Sequence, residues 1–224
     1  MKLSIEAVAG LPEISPGDDL AALITRNAEL ADGDIVVIAQ KAVSKAEGRF
    51  ADPSAVEASD EARALAAKAD KDPGLVQLIL DESVEVLRAT AGVLIVETRH
   101  GFVCANAGID SSNVPGDGRV LLLPLDSDQS ARSLRAQLQN ATGTQLAVVI
   151  SDSFGRAWRS GQLDVAIGCA GIEPLIDERG GVDREGREMS ATIQAVADEL
   201  AAAADLARSK VSGEPVAVIR GRSD

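Results

Sequence analysis

Two short runs, DIVVIA at residues 34–39 and LAVVIS at residues 146–151, are apolar at nearly every position rather than at every second one. Successive strand residues point to opposite faces, so an uninterrupted β-branched run needs cover on both sides. Both runs therefore read as interior strands with material packed on each face. Four further runs bounded by turn residues read as strands: GVLIVET at 92–98, FVCAN at 102–106, VLLLPL at 120–125 and VAVIR at 216–220.

Helical patterns lie between them. Asp18 is placed to cap a helix carrying Leu20, Leu23, Ile24 and Ala28, and Asp72 followed by Pro73 opens one carrying Leu75, Leu78 and Ile79. Asp128 is placed to cap a third, with Ala131, Leu134 and Leu138 on one side. In residues 190–207 a stripe of Ile193, Val196, Ala197, Leu200 and Ala204 marks a fourth. The acidic, alanine-rich residues 56–70 are a weaker candidate. Strands and helices do not alternate strictly, which predicts a mixed α/β (α+β) fold. No G-x-x-x-x-G-K-[ST] occurs and no G-x-G-x-x-G follows a strand, so a regular Rossmann or P-loop fold is not expected. The 224 residues, 46% hydrophobic, suffice for a single domain over 1–224 with one core or two small, intimately packed lobes.

Aromatic residues make up 2% of the chain, with no Tyr and Trp158 alone of its kind, which leaves no platform for stacked bases. A net charge of -13 argues equally against a nucleic-acid partner, because such partners demand a Lys/Arg footprint. Cys104 and Cys169 lie far apart and form no zinc or disulfide pattern, and no run approaches the length of a membrane span. A soluble, cytoplasmic protein is the expectation.

Three segments place polar side chains at the tip of a strand, where α/β scaffolds present their sites. They are VCANAGIDSSNVPGDG at 103–118, VVISDSFGRAWRSGQ at 148–162 and VVIAQKAVSKAEGR at 36–49. With His100 the only histidine, any metal must be held mainly by oxygen, which selects Mg²⁺ or Mn²⁺ and makes Asp110 and Asp152 the leading ligands, with the Ser153 hydroxyl beside them. Plainer readings stand alongside. Asp110, Ser111, Ser112 and Asn113 also suit an Asx turn, Lys41, Lys45 and Arg49 a solvated face, and Arg156 and Arg159 pairing with the excess acid.

Taken together and in order, LPEI, GDIVVIAQKAVSKAEGR, NAGIDSSNVP and ISDSFGRAWRSGQLDVAIGCAG span nearly the whole chain and resemble the coenzyme F420-0:L-glutamate ligase (gamma-glutamyl ligase) family. The resemblance implies a GTP- and metal-dependent enzyme that joins L-glutamate to the lactyl carboxylate of a deazaflavin precursor through an acyl phosphate, with extension to a gamma-glutamyl tail in some members. It also implies a two-lobed homodimer, two Mg²⁺ or Mn²⁺ ions and K⁺ as a further ion. By motif, Asp110 and Asp152 correspond to ligands of one ion and Ser153 to a contributor to a second. Leu11, Pro12, Glu13, Ile14, Gln40, Lys41, Lys45 and Asn113 correspond to nucleotide contacts. Lys45, Arg156 and Arg159 are then expected to neutralise phosphate charge during catalysis. One departure concerns ARSKVSGEP at 207–215, where the family carries a glycine-rich loop with an acid: Ser209 stands near the acid's place, and Arg208, Lys210 and Val211 replace glycines. That departure keeps two alternatives open, a related acid–amino acid ligase with another substrate and a nonenzymatic nucleotide-binding module.

Overall fold

The computed structural model describes residues 2–116, 118–208 and 213–222. In chain order its elements are β1 (Ser4–Ala7), α1 (Leu20–Asn27), β2 (Ile35–Ala39), α2 (Gln40–Ala46), β3 (Phe50–Ala51), α3 (Asp60–Ala69), α4 (Pro73–Asp81), β4 (Ser83–Thr90), β5 (Val93–Thr98) and β6 (Val103–Ala105). There follow β7 (Val120–Leu121), α5 (Ser127–Thr142), β8 (Ala147–Arg156), β9 (Arg159–Ala170), β10 (Ile176–Asp177), β11 (Ile193–Gln194), α6 (Val196–Ala207) and β12 (Val216–Arg220). The class is mixed α/β (α+β), as the irregular order of elements predicts.

The two apolar runs are neighbours at the heart of a five-stranded sheet of order β1-β12-β2-β8-β9. They pair in parallel, from Ile35 opposite Ala147 to Ala39 opposite Ser151, while the other pairings in this sheet are antiparallel. One face, with Val36, Ile38, Val148 and Ile150, packs on Leu20 and Ile24 of α1 and Leu134 and Leu138 of α5. The other face, with Ile35, Val37, Ala147 and Val149, packs on Val196, Leu200, Ala201 and Ala204 of α6. Full burial of each such Val or Ile contributes about 1.5–3 kcal/mol, so this pair of strands anchors the lobe.

Between α2 and α5 the chain builds a second core. Ala62, Ala66, Val76 and Ile79 of α3 and α4 cover Leu94 and Val96 of a three-stranded sheet ordered β4-β5-β6. Arg49 ties this core to the first, its Nη2 donating to both carboxylate oxygens of Glu82 at 3.1 and 3.2 Å and its Nε to the Leu123 carbonyl at 2.8 Å.

Several elements depart from the sequence-based expectations, each for a local reason. The cap of α1 is Asp19, which accepts the Ala22 N–H, whereas Asp18 accepts the Ser15 N–H and closes the preceding turn. Asp126 caps α5, which leaves Asp128 in the first turn free to reach across and accept the Cys169 N–H at 2.8 Å. The fourth helix starts at Val196, because β11 pairs with β10 and takes Ile193 out of the stripe. Of the 120–125 run only Val120 and Leu121 form a strand. The 146–151 run does not end at its polar tip but continues through Arg156 and returns as β9.

At the free edge of β9, the Ala166 N–H is capped by Asp198 at 2.9 Å and the Cys169 N–H by Asp128. Close approach of α5 to this strand requires Gly168, since a Cβ there would stand 2.4 Å from the Ser127 carbonyl carbon. Gly168→Ala is expected to lower the stability of the chain by about 1–3 kcal/mol, measured by urea unfolding.

Candidate active site

Because β2 and β8 run in parallel, their carboxyl ends open at the same edge of the sheet, where open α/β sheets bind ligands. From β2 the chain turns directly into α2, whose first residues are Gln40 and Lys41. On β8 the first residue beyond the segment paired with β2 is Asp152, which still pairs with Val165 of β9. The second lobe brings Asp110 to the same place through an isolated bridge, in which Asp110 and Leu121 exchange backbone hydrogen bonds at 2.8 and 3.1 Å.

Lys41 is the centre of this cluster. Its Nζ stands 2.6 Å from Asp110 Oδ2 and also donates to Ser112 Oγ at 2.7 Å and to the Ser112 carbonyl at 3.1 Å. Asp110 Oδ1 accepts the Ser112 N–H at 2.6 Å, so the Asx turn is real and uses only one of the two oxygens. Burial alone would raise the Asp110 pKa, but the Lys41 ammonium and the Ser112 donors outweigh it and hold the carboxyl below its ordinary value. Asp152 goes the other way. Burial, augmented by the Asp164 and Asp110 carboxylates, pushes it up to about 7 against the opposing Ser153 N–H and Lys41. Cys104 lies near enough for the Asp152 charge to add to burial in raising its thiol to about 11, which keeps it protonated at neutral pH.

Ser153 follows Asp152 on the strand and so projects from the opposite face. There Ser153 Oγ donates to Asp164 Oδ1 at 2.6 Å, while Ser151 Oγ donates to Oδ2 at 2.9 Å. Arg208 completes the group, with Nη2 2.7 Å from Asp164 Oδ2 and 2.9 Å from Ser151 Oγ. The remaining expected residues are distributed around the cluster. Lys45, itself buried, reaches the exposed carboxylate of Glu13, in a loop anchored by buried Ile14 and half-buried Leu11, with Pro12 exposed between them. Gln40 donates to Ser44 Oγ and the Leu122 carbonyl, and its own Oε1 is buried with no partner among the described residues. Asn113 is exposed, in a left-handed turn conformation at φ 56°. Arg156 and Arg159 flank exposed Trp158 at the tip of the β8–β9 hairpin, roughly 13 Å along the strand from Asp152 at about 3.3 Å per residue. The structure therefore joins Lys41, Asp110 and Asp152, and sets the two arginines apart from them.

Asp164 is the residue that sequence reasoning missed. The signal was a lone carboxylate in LDVAIGCA, an otherwise apolar run that has to be buried. In the 207–215 segment, Ser209, Lys210 and Val211 lie outside the described residues, whereas Arg208 is placed, with its side chain 5% exposed.

Among the described residues no three His, Cys, Asp or Glu side chains form a metal-holding group. The donors that do converge are two carboxylates, one of them largely desolvated and the other bonded to the Lys41 ammonium. That set suits a hard divalent ion that retains water and takes further oxygens from a ligand. Asp110 and Asp152 are the residues that would hold it.

The fold is thus a mixed α/β (α+β) arrangement that gathers an oxygen-rich cluster where β2 ends against β8. The chain belongs to the F420-0:gamma-glutamyl ligase family, whose model matches residues 10–221. It is 48% identical to the coenzyme F420:L-glutamate ligase of Methanothermobacter thermautotrophicus, over 99% of this chain and 90% of that protein. Proteins of the same name from Methanopyrus kandleri and Haloarcula marismortui are each 44% identical, the alignments covering 98% and 97% of this chain and 87% of each relative.

The raised Asp152 pKa makes a stability prediction for metal-free protein. A carboxyl whose folded pKa exceeds its unfolded value of about 3.9 favours the fold below that value and loses the contribution as pH rises through about 7. Asp152→Asn lacks the loss, so in urea unfolding with EDTA it should gain stability relative to the native chain between pH 5 and pH 8.

Proposed function

We propose that this chain catalyses GTP-dependent attachment of L-glutamate to the lactyl carboxylate of the deazaflavin precursor F420-0. The observation that carries the reading is the convergence of Lys41, Asp110 and Asp152 at the strand ends, in a chain that matches the ligase family over almost its whole length.

The chemistry follows from the substrates. A carboxylate does not condense with an amine at neutral pH; transfer of the GTP γ-phosphoryl group to it gives an acyl phosphate, and attack by the glutamate amine then expels phosphate. Such a reaction needs positioning and charge neutralisation rather than a protein nucleophile. Lys41 supplies a fixed positive charge beside Asp110, and Lys45 a second at the Leu11–Ile14 loop. The orphaned Gln40 Oε1 offers a buried acceptor beside them. Mg²⁺ or Mn²⁺ held by Asp110 and Asp152 would neutralise phosphate oxygens. Arg156 and Arg159 come within reach of the phosphates only if the hairpin tip moves or is presented to a second subunit, which fits the expected homodimer. A second ion at Ser153 and a K⁺ ion belong to the same reading, as do GTP as the nucleotide and extension of a gamma-glutamyl tail.

Purified protein supplied with GTP, Mn²⁺, L-glutamate and the deazaflavin precursor should release phosphate only when all are present, and the product should gain the mass of one or more glutamyl units. Phosphate release independent of glutamate, or none at all alongside nucleotide binding, would overturn the reading in favour of another acceptor or a binding role. Asp110→Asn and Asp152→Asn are each expected to reduce kcat by at least about 100-fold while the circular dichroism spectrum is unchanged. Near-normal turnover in both would remove these carboxylates from the site.

A further inference from the structure

Beside the free edge of β9 lies a cavity of about 710 Å³ that plays no part in the proposed chemistry. Helix α5 presents Arg132, Arg135 and Ala136 to it, β9 its edge around Gly168, and the second lobe His100 and Phe102. The last two stack with ring centroids 5.9 Å apart, which gives one wall an aromatic surface. The volume is that of a small-molecule site, about 300–1,000 Å³.

The arginines give the cavity its sign. In a chain with 35 acids against 22 lysines and arginines, carboxylates are plentiful, and Arg49, Arg208 and Arg220 each hold one. Arg135 holds none. Its Nε donates to the Leu146 carbonyl at 2.7 Å, and its terminal nitrogens have no bonded partner among the described residues. Gly171 makes room for this guanidinium, since a Cβ there would stand 2.3 Å from Arg135 Nε. About one helical turn earlier Arg132 faces the same space, hydrogen-bonded to uncharged Gln129 and 3.8 Å from exposed Asp126. The acid that lines the cavity, Asp128, is turned onto the Cys169 N–H. A guanidinium anchored at Nε with its fork unoccupied suits a planar or tetrahedral oxyanion.

The cavity also reaches the strand ends from the side. Ala166 in its wall pairs with Ser151, the residue before Asp152, and Phe102 meets Phe154 edge-on at 6.0 Å. Phe154 stands two residues beyond Asp152 and so on the same face of β8. A strand from another chain is opposed here, because Asp198 and Asp128 already accept the Ala166 and Cys169 N–H groups that strand addition would use.

We propose that this cavity is the acceptor subsite, taking a ring-bearing organic anion with its oxyanion on Arg135 and Arg132, its ring against His100 and Phe102, and its far end at Asp152. The inference rests on the proposed function, which makes that molecule the deazaflavin precursor: a ring at one end, the lactyl carboxylate at the other and a phosphodiester between them. Glutamate has no ring and would fill little of the space.

The test is equilibrium dialysis of the precursor alone against the native chain and three variants, with GTP and L-glutamate as separate arms and folding checked by thermal melting. Arg135→Gln should weaken precursor binding about 10-fold, and Arg132→Gln, which spares the Leu146 contact, should weaken it in the same direction. Ala136 is exposed, so Ala136→Trp fills the cavity without entering a core and should abolish precursor binding. GTP binding should stay within about 2-fold of native throughout.

Unchanged precursor binding in the three variants would overturn the inference while leaving the functional reading in place if the native chain forms the glutamyl product. Loss of glutamate or GTP binding in place of precursor binding would overturn it as well, by giving the arginines to another substrate. A native chain that binds no precursor would overturn both. A native chain whose precursor binding is lost in the variants, yet which forms no glutamyl product, would support the subsite and refute the functional reading alone.

Discussion

The parallel register of β2 on β8 is the constraint from which the rest of the arrangement hangs. It aligns two strands that would each be insoluble if exposed, and their burial on both faces demands α1 and α5 on one side and α6 on the other. Parallel pairing also sets the carboxyl end of β2 beside Ser151, the point from which β8 runs on past its neighbour. Helix α2 must therefore begin where Asp152 emerges, and Lys41 is brought to the acids by backbone geometry before any electrostatic attraction operates. Had the two strands been antiparallel, their carboxyl ends would lie at opposite edges and the cluster would not form.

Electrostatics then divides the acids of a chain carrying a net charge of -13 into distinct roles. Asp34, wholly buried, is met by a bidentate contact from Arg220 at 2.7 Å on each oxygen. Asp164 is met by Arg208, and Glu82 by Arg49. Asp152 alone among these has no cation bonded to it in the described residues, and burial with two neighbouring carboxylates raises its pKa. The scaffold acids are neutralised by arginine, while Asp152 is left without a cation bonded to it among the described residues, and burial resists its ionisation. Such a contrast between carboxyls of one protein is a mark of a site rather than of a scaffold.

Much of this was legible in the sequence, and the limits were physical. Strands buried on both faces announce themselves by composition, and so the 34–39 and 146–151 runs were found along with Asp110 and Asp152 beyond them. The β8–β9 hairpin was not, because Ser153, Gly155, Arg156 and Ser160 read as loop and pair only through backbone bonds that residue type does not report. Cap positions slipped by one or two residues at Asp18 and Asp128, where neighbouring aspartates compete and only the backbone angle decides between them. Asp164 showed only as a lone acid in an apolar run, because its partner Arg208 lies 44 residues on and no local pattern joins them.

The hairpin tip has a spectroscopic consequence. Trp158 is the single tryptophan of a chain without tyrosine, and it stands fully exposed at the turn with a φ of 66°. The indole absorption band and indole emission of the chain therefore arise from one exposed ring. In the isolated chain an indole so exposed is expected to emit as it would in water, so unfolding of the distant cores should leave the emission nearly unchanged. Contact of another surface with the tip would move it, which makes the fluorescence of this protein blind to its stability and sensitive to its company.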